Sequence, residues 1–292
     1  MIPAVDHLIE DLDKLGYIVE EELATVLLLT LELEKPILLE GPPGVGKTEA
    51  ARILADHLGT KLIRLQCYEG LDVSHAIYEW NYQKQLLSIK INEDSELSTE
   101  EKESHIFGED FLLKRPLLEA ITSDKPPVLL IDEVDRADEE FEAFLLELLS
   151  DFQISIPEMG TIKAKNRPIV LLTSNRTREL SDALKRRCLY HWITYPSFDK
   201  ELHIVQKKFP ELNDGITTQL VKFVEKLRDL QLQKSPGIAE TLDWARSLIA
   251  LKVDELTREY IEKTIGCVLK SESDIKRMSA REIDGILEEI SE

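Results

Sequence analysis

The chain has 292 residues, 43% hydrophobic and 32% charged, enough for one large core or two smaller ones. Its 56 acids against 36 bases give a net charge of −20, which argues against a nucleic-acid motor, because such proteins displace phosphate counterions with a basic surface. No apolar run approaches the ~18 residues of a membrane helix, and Met1 to His7 lack the basic and apolar regions of a secretory leader. Cys67, Cys188 and Cys267 match no zinc or disulfide spacing and fit packed, inert thiols in a reducing compartment. The expectation is a cytoplasmic protein with neither a nucleic-acid nor a membrane partner.

Residues 1 to 34 carry Leu23, Val26, Leu27, Thr30 and Leu31 on one helical face, ending at Lys35-Pro36. Ile37-Leu38-Leu39 is a short apolar run of the kind that forms a buried parallel strand. Gly41-Pro42-Pro43-Gly44-Val45-Gly46-Lys47-Thr48 follows, and then Glu49 to Leu58 repeats at helical spacing. Lys61 to Gln66 reads as a second strand. Tyr68 to Leu87 is mixed, and residues 93 to 110 carry eight acids with Lys102 as the one lysine or arginine, a solvated surface by composition. Residues 68–110 are therefore read as an insertion. Phe111 to Ser123 has helical periodicity (Leu112, Leu113, Leu117, Leu118, Ile121).

Val128 to Ile131 reads as a core strand closed by Asp132-Glu133. Phe141, Phe144, Leu145, Leu148 and Leu149 then form a helix face, with Glu140, Glu142 and Glu147 on the wet side. Phe152 to Ile162 alternates like a hairpin, and Ile169 to Thr173 and Leu189 to Ile193 are further core strands. Beyond Tyr195-Pro196 only helical spacing remains: Leu220, Phe223, Val224, Leu227 and Leu230, then Ile283, Ile286, Leu287 and Ile290 behind a capping box of Ser279 and Glu282 with Met278 as staple. These patterns predict an α/β core over 1–196, with a doubly wound parallel sheet, and a small all-helical domain over 197–292.

Gly41, Gly46, Lys47 and Thr48 satisfy G-x-x-x-x-G-K-[ST] between a strand and a helix, the setting in which this motif binds phosphates. Glycines bring backbone N–H groups close to phosphate oxygens, and the helix N-terminus adds unpaired donors and a positive dipole end. Gly41 to Glu49 are the expected nucleotide contacts. Lys47 would meet the β- and γ-phosphates, and Thr48 would hold Mg²⁺ together with Asp132. Glu133 would polarise the attacking water, and the Asn175 amide would bond that water or the γ-phosphate, unless it closes an Asx turn. Arg187, directly before the last strand, would stabilise phosphoryl charge on a neighbouring subunit, an effect of roughly 10³–10⁵ in rate; the bland alternative is a basic helix end. A head-to-tail contact of that kind closes into a ring.

Taken together, Gly41–Thr48, Asp132-Glu133, Asn175, Arg187 and the helical second domain resemble the AAA+ ATPases, and more narrowly the MoxR group. Gln66 after the second strand, the insertion and the Phe152–Ile162 hairpin match that layout. Leu172-Thr173-Ser174-Asn175-Arg176-Thr177-Arg178-Glu179 and Lys185-Arg186-Arg187-Cys188-Leu189-Tyr190-His191-Trp192 are similar to the CoxD-like branch. The resemblance implies an ATP- and Mg²⁺-dependent hexameric remodelling chaperone. It further implies a von Willebrand A domain partner and a protein client, in the CoxD-like branch a metalloenzyme whose metal cluster is being completed. The family's lid carries an arginine in a Ser-Pro-Arg-Ala setting; here Ser235-Pro236-Gly237-Ile238-Ala239 has glycine there, with Arg246 two turns on. A different class, a nucleotide-switched binding module with slow hydrolysis, shares the same residues. A small-molecule kinase shares only the phosphate loop, having no use for Asn175 or Arg187.

Overall fold

The computed structural model describes residues 2–91, 105–157 and 159–291. Among them the chain runs α1 (Pro3–Lys14), α2 (Glu21–Glu32), β1 (Ile37–Glu40), α3 (Lys47–Leu58), β2 (Leu62–Gln66), α4 (Val73–Ala76), β3 (Tyr78–Trp80), α5 (Tyr82–Ile91), β4 (Leu112–Lys114) and α6 (Pro116–Thr122). It continues through β5 (Val128–Asp132), α7 (Glu139–Asp151), β6 (Gln153–Ile156), β7 (Gly160–Lys163), β8 (Ile169–Ser174), α8 (Asp182–Arg187) and β9 (Leu189–Trp192). Helices α9 (Phe198–Lys208), α10 (Asp214–Asp229), α11 (Ile238–Ala250), α12 (Arg258–Thr264), α13 (Glu272–Arg277) and α14 (Ala280–Ser291) complete it. These residues form two compact units, one of Glu22–Glu40 and Ala51–His191, the other of Met1–Glu21, Gly41–Ala50 and Trp192–Glu292. The first unit holds the parallel sheet and the second is mainly helical.

The sheet of the first unit has the order β2-β5-β8-β1-β9. Pairing is parallel between β2 and β5, β5 and β8, and β8 and β1. The uninterrupted apolar runs take the inner positions: every residue of β1 and β5 is buried, as strands covered on both faces require. The expected hairpin is present, β6 pairing antiparallel with β7 from Gln153↔Lys163 to Ile156↔Gly160.

Two expectations need correction in this unit. Phe111 to Ser123 is not one helix: Glu109–Phe111 makes a 3₁₀ turn, and Leu112–Lys114 pairs antiparallel with Tyr78–Trp80. The reason is Pro116, which pushes the residue before it out of the helical region, so that α6 starts at the proline itself. Glu142 is not on a wet face. It is 2% exposed, ion-paired with Arg178, and accepts the Ser181 amide at 2.9 Å. The acidic run expected over 93–110 lies largely outside the described residues.

In the second unit, Phe223 and Trp244 are fully buried and meet edge to face with ring centroids 5.5 Å apart. A buried ionic tie joins three helices. Arg228 of α10 donates to both oxygens of Glu201 on α9, at 2.5 and 2.9 Å, and Thr241 of α11 donates to the same carboxylate at 2.6 Å. Arg228 also donates to the Pro236 carbonyl at 2.8 Å, which fixes the turn entering α11. The expected capping box opens α14: the Ser279 amide donates to Glu282 at 3.1 Å and the Glu282 amide to the Ser279 hydroxyl at 3.4 Å.

Candidate nucleotide-binding and hydrolysis site

The strand register brings polar residues to one level at the carboxyl edge of the sheet, where open α/β sheets bind ligands. Gln66 lies opposite Asp132, Leu39 opposite Thr173, and Glu40 opposite Ser174. Asp132, 3% exposed, accepts the Thr173 hydroxyl at 2.5 Å, and the same hydroxyl accepts the Glu133 amide at 2.9 Å. Thr173 therefore bridges the two acids. Sequence reading passed over it as the last residue of a strand.

Glu133 has φ 55 and ψ 48, a left-handed conformation uncommon outside glycine. One carboxylate oxygen accepts the Asn175 amide nitrogen at 3.2 Å and the other pairs with Arg136 at 2.9 Å. The Asn175 side chain thus reaches Glu133 and does not close an Asx turn. Its loop is held by Asp135, 2% exposed, which accepts the Asn175 amide at 3.2 Å, the Thr177 amide at 2.8 Å and the Thr177 hydroxyl at 2.7 Å. Asp135 is a second residue that the sequence did not single out. The signal was its place three residues beyond Asp132 in the turn that follows the strand. Glu40, buried just before the glycine loop, accepts the Ser174 hydroxyl at 3.1 Å and the Tyr190 hydroxyl at 3.0 Å.

In the other unit the loop from Gly41 to Gly46 runs straight into α3, which begins at Lys47. Gly41 has φ 156, and a Cβ there would stand 2.1 Å from the Ile193 carbonyl oxygen. Lys47, 7% exposed, donates to the Gly41 and Pro42 carbonyls at 2.8 and 2.7 Å. Thr48 and Glu49 occupy the first turn of the helix, and Glu49 lies 3.8 Å from Lys208. The lid meets this loop through backbone. The Ala239 amide donates to the Gly44 carbonyl at 3.2 Å, and a Cβ on Gly237 would lie 2.8 Å from that same carbonyl. The Gly237 amide is capped by Glu240 at 2.9 Å. Arg246 stands over the Phe209 ring, 5.9 Å from its centroid, so the helix places no arginine at this contact.

Arg187 makes its hydrogen bonds outside the Asp132–Glu133–Asn175 group. It donates to the Ser150 hydroxyl at 2.5 Å and the Ala183 carbonyl at 3.0 Å, while Arg186 beside it is exposed. Burial pushes the Cys67 and Cys188 thiols up to about 12; nearby Asp132 adds to the effect at Cys67. Both behave as packed thiols.

Residues 36–188 match the AAA domain of the dynein-related subfamily. The chain belongs to that family of AAA ATPases. An uncharacterised protein of Staphylococcus haemolyticus is 28% identical over 240 residues, which span 80% of this chain and 82% of the relative. One from Staphylococcus aureus is 28% identical over 241 residues, 80% and 82% of the two chains. Among solved structures, a proline-to-glycine mutant of Thermotoga maritima RuvB superposes with TM-score 0.52 at 20% identity, over 90% of this chain and 74% of that one. An alanine-to-serine mutant of the same protein gives 0.50 at 21% identity, over 85% and 69%. These structures support the fold alone. No described helix is long and apolar enough to cross a membrane.

The donor chemistry fits Mg²⁺ brought in with a nucleotide. Among the described residues no group of three or more His, Cys, Asp or Glu side chains is arranged to hold a metal. A hydroxyl and one carboxylate, completed by phosphate oxygens and water, is how Mg²⁺ is held in phosphate-loop proteins.

Proposed function

We propose that this AAA protein hydrolyses ATP and works as a MoxR-type, CoxD-like remodelling chaperone, assembled as a homo-oligomeric ring that is a hexamer by analogy. The observation that carries the reading is the bond from Asn175 to the Glu133 carboxylate, which aligns the two side chains that hydrolysis needs to orient water. On this reading Gly41, Pro42, Pro43, Gly44, Val45, Gly46, Lys47, Thr48 and Glu49 hold the phosphates, and Thr48 and Asp132 hold Mg²⁺. The ion would neutralise charge between the β- and γ-phosphates. Glu133 takes the proton of the attacking water, Asn175 fixes its position, Lys47 stabilises the leaving charge, and Arg187 serves a neighbouring subunit.

Residues 1–196 and 197–292 are proposed as core and lid. A cytoplasmic setting follows from the cysteine usage, a von Willebrand A domain partner and a metalloenzyme client follow from the resemblance, and the charge of −20 weighs against nucleic acid. Glu133→Gln tests the reading: ATP binding should persist while hydrolysis falls about 10²–10⁴-fold, as on losing a general base. Loss of binding, or unimpaired hydrolysis, would remove Glu133 from this role.

A second reading, a nucleotide-switched binding module with slow turnover, draws support from Arg187 being engaged by Ser150 within its own chain. The variant separates the two. A remodeller loses its effect on the client, whereas a switch keeps its partner attached in ATP.

A further inference from the structure

Asp132 is paired with a positive charge that the proposed reaction does not use. Arg64, on the edge strand β2, donates to one Asp132 oxygen through Nε at 3.0 Å and Nη2 at 2.5 Å. Gln66 steers that guanidinium by accepting from the same Nη2 at 2.5 Å. The second Asp132 oxygen accepts from Thr173. The carboxylate side chain is 4% exposed and the arginine 52%. A carboxylate so buried needs a compensating charge, and the arginine is its ion-pair partner on the neighbouring strand. A divalent cation directed to the same carboxylate meets a positive group already on it.

We infer that Arg64 is an internal counter-ion that occupies the metal-facing carboxylate when no cation is bound and competes with Mg²⁺ for it. The inference rests on the reading of Asp132 as the magnesium-side acid. The half-exposed guanidinium sits on an edge strand, so it can leave Asp132 for solvent without breaking a buried pair on its own side. Arg64 is thus a positioning residue. It keeps Asp132 aimed, and it sets the cation concentration at which nucleotide is held in the hydrolytic form.

The experiment is a Mg²⁺ titration of fluorescent ADP binding to the full chain, read as the cation midpoint alongside the nucleotide affinity in chelator. Removing a half-exposed like charge that faces a cation site strengthens cation binding there by about tenfold. Arg64→Gln should therefore lower the midpoint about tenfold and leave metal-free affinity unchanged. Arg64→Lys, which keeps the charge, should stay near the native midpoint. If Arg64→Gln melts before the titration can be run, Gln66→Leu, which frees the guanidinium, should move the midpoint the same way. A purely structural ion pair would lower the melting temperature and leave the midpoint in place, and that result, or a raised midpoint, overturns the inference. Should the native chain bind no nucleotide with or without Mg²⁺, it is the ATPase reading that fails.

Discussion

The buried Asp135 carboxylate grips Thr177 twice, through the amide at 2.8 Å and the hydroxyl at 2.7 Å. Since it also accepts the Asn175 amide, one acid fixes the loop that carries the proposed water-orienting side chain of Asn175. Asp135→Ala should lower stability by about 3 kcal/mol, the scale of a lost charged hydrogen-bond set. In steady-state assays it should reduce kcat about 100-fold with KM for ATP nearly constant. A lower melting temperature with full kcat would make Asp135 a structural residue only.

Arg187 should matter to a neighbour and not to its own pocket. Arg187→Ala is expected to bind ATP normally and to lose about 10³-fold in turnover. Mixing it with Glu133→Gln chains, which still carry Arg187, should restore part of that turnover. Arg186→Ala serves as the control with an exposed neighbour. Failure of the mixture to recover activity would place the arginine's role within a single chain.

Gly237 leaves no room for a side chain beside the phosphate loop. Gly237→Ala must displace either the loop at Gly44 or the start of α11, so nucleotide affinity should fall about tenfold, with a stability cost of about 1–3 kcal/mol from overpacking. A fluorescent-nucleotide titration measures it. Native affinity in this variant would show that the contact is dispensable.

The cysteines give a pH test. In the fold Cys67 and Cys188 are raised from 9 to about 12, so the unfolded chain loses their protons first as pH rises. Their contribution to stability is complete below about pH 9 and is lost progressively between 9 and 12. At pH 8 a thiol alkylating agent should label the half-buried Cys267 and spare the other two, which react only on denaturation. Mass spectrometry of the labelled protein reads this directly.

Much of the candidate nucleotide site was legible because its residues are local in sequence: Gly41 to Thr48 is contiguous, and Asp132-Glu133 ends a four-residue apolar run. What stayed hidden depends on register. Thr173 and Arg64 touch Asp132 only because β8 and β2 align beside β5, and no spacing along the chain announces a neighbour 41 or 68 residues away. Glu142 was misplaced for the same reason, its partner Arg178 arriving from beyond three further strands. The error at Leu112–Lys114 was different. Helical periodicity outweighed the proline that follows, although Pro116 had already excluded one continuous helix.

Glu133 is held in a left-handed backbone conformation that costs an ordinary residue about 1–3 kcal/mol. Replacing it with glycine or asparagine would relax the chain there, so selection for heat resistance alone would favour discarding it. On the proposed reading of Glu133 as the general base, durability and turnover pull in opposite directions at this position. A laboratory lineage evolved only for survival at high temperature would be expected to drift toward a tougher but idle protein.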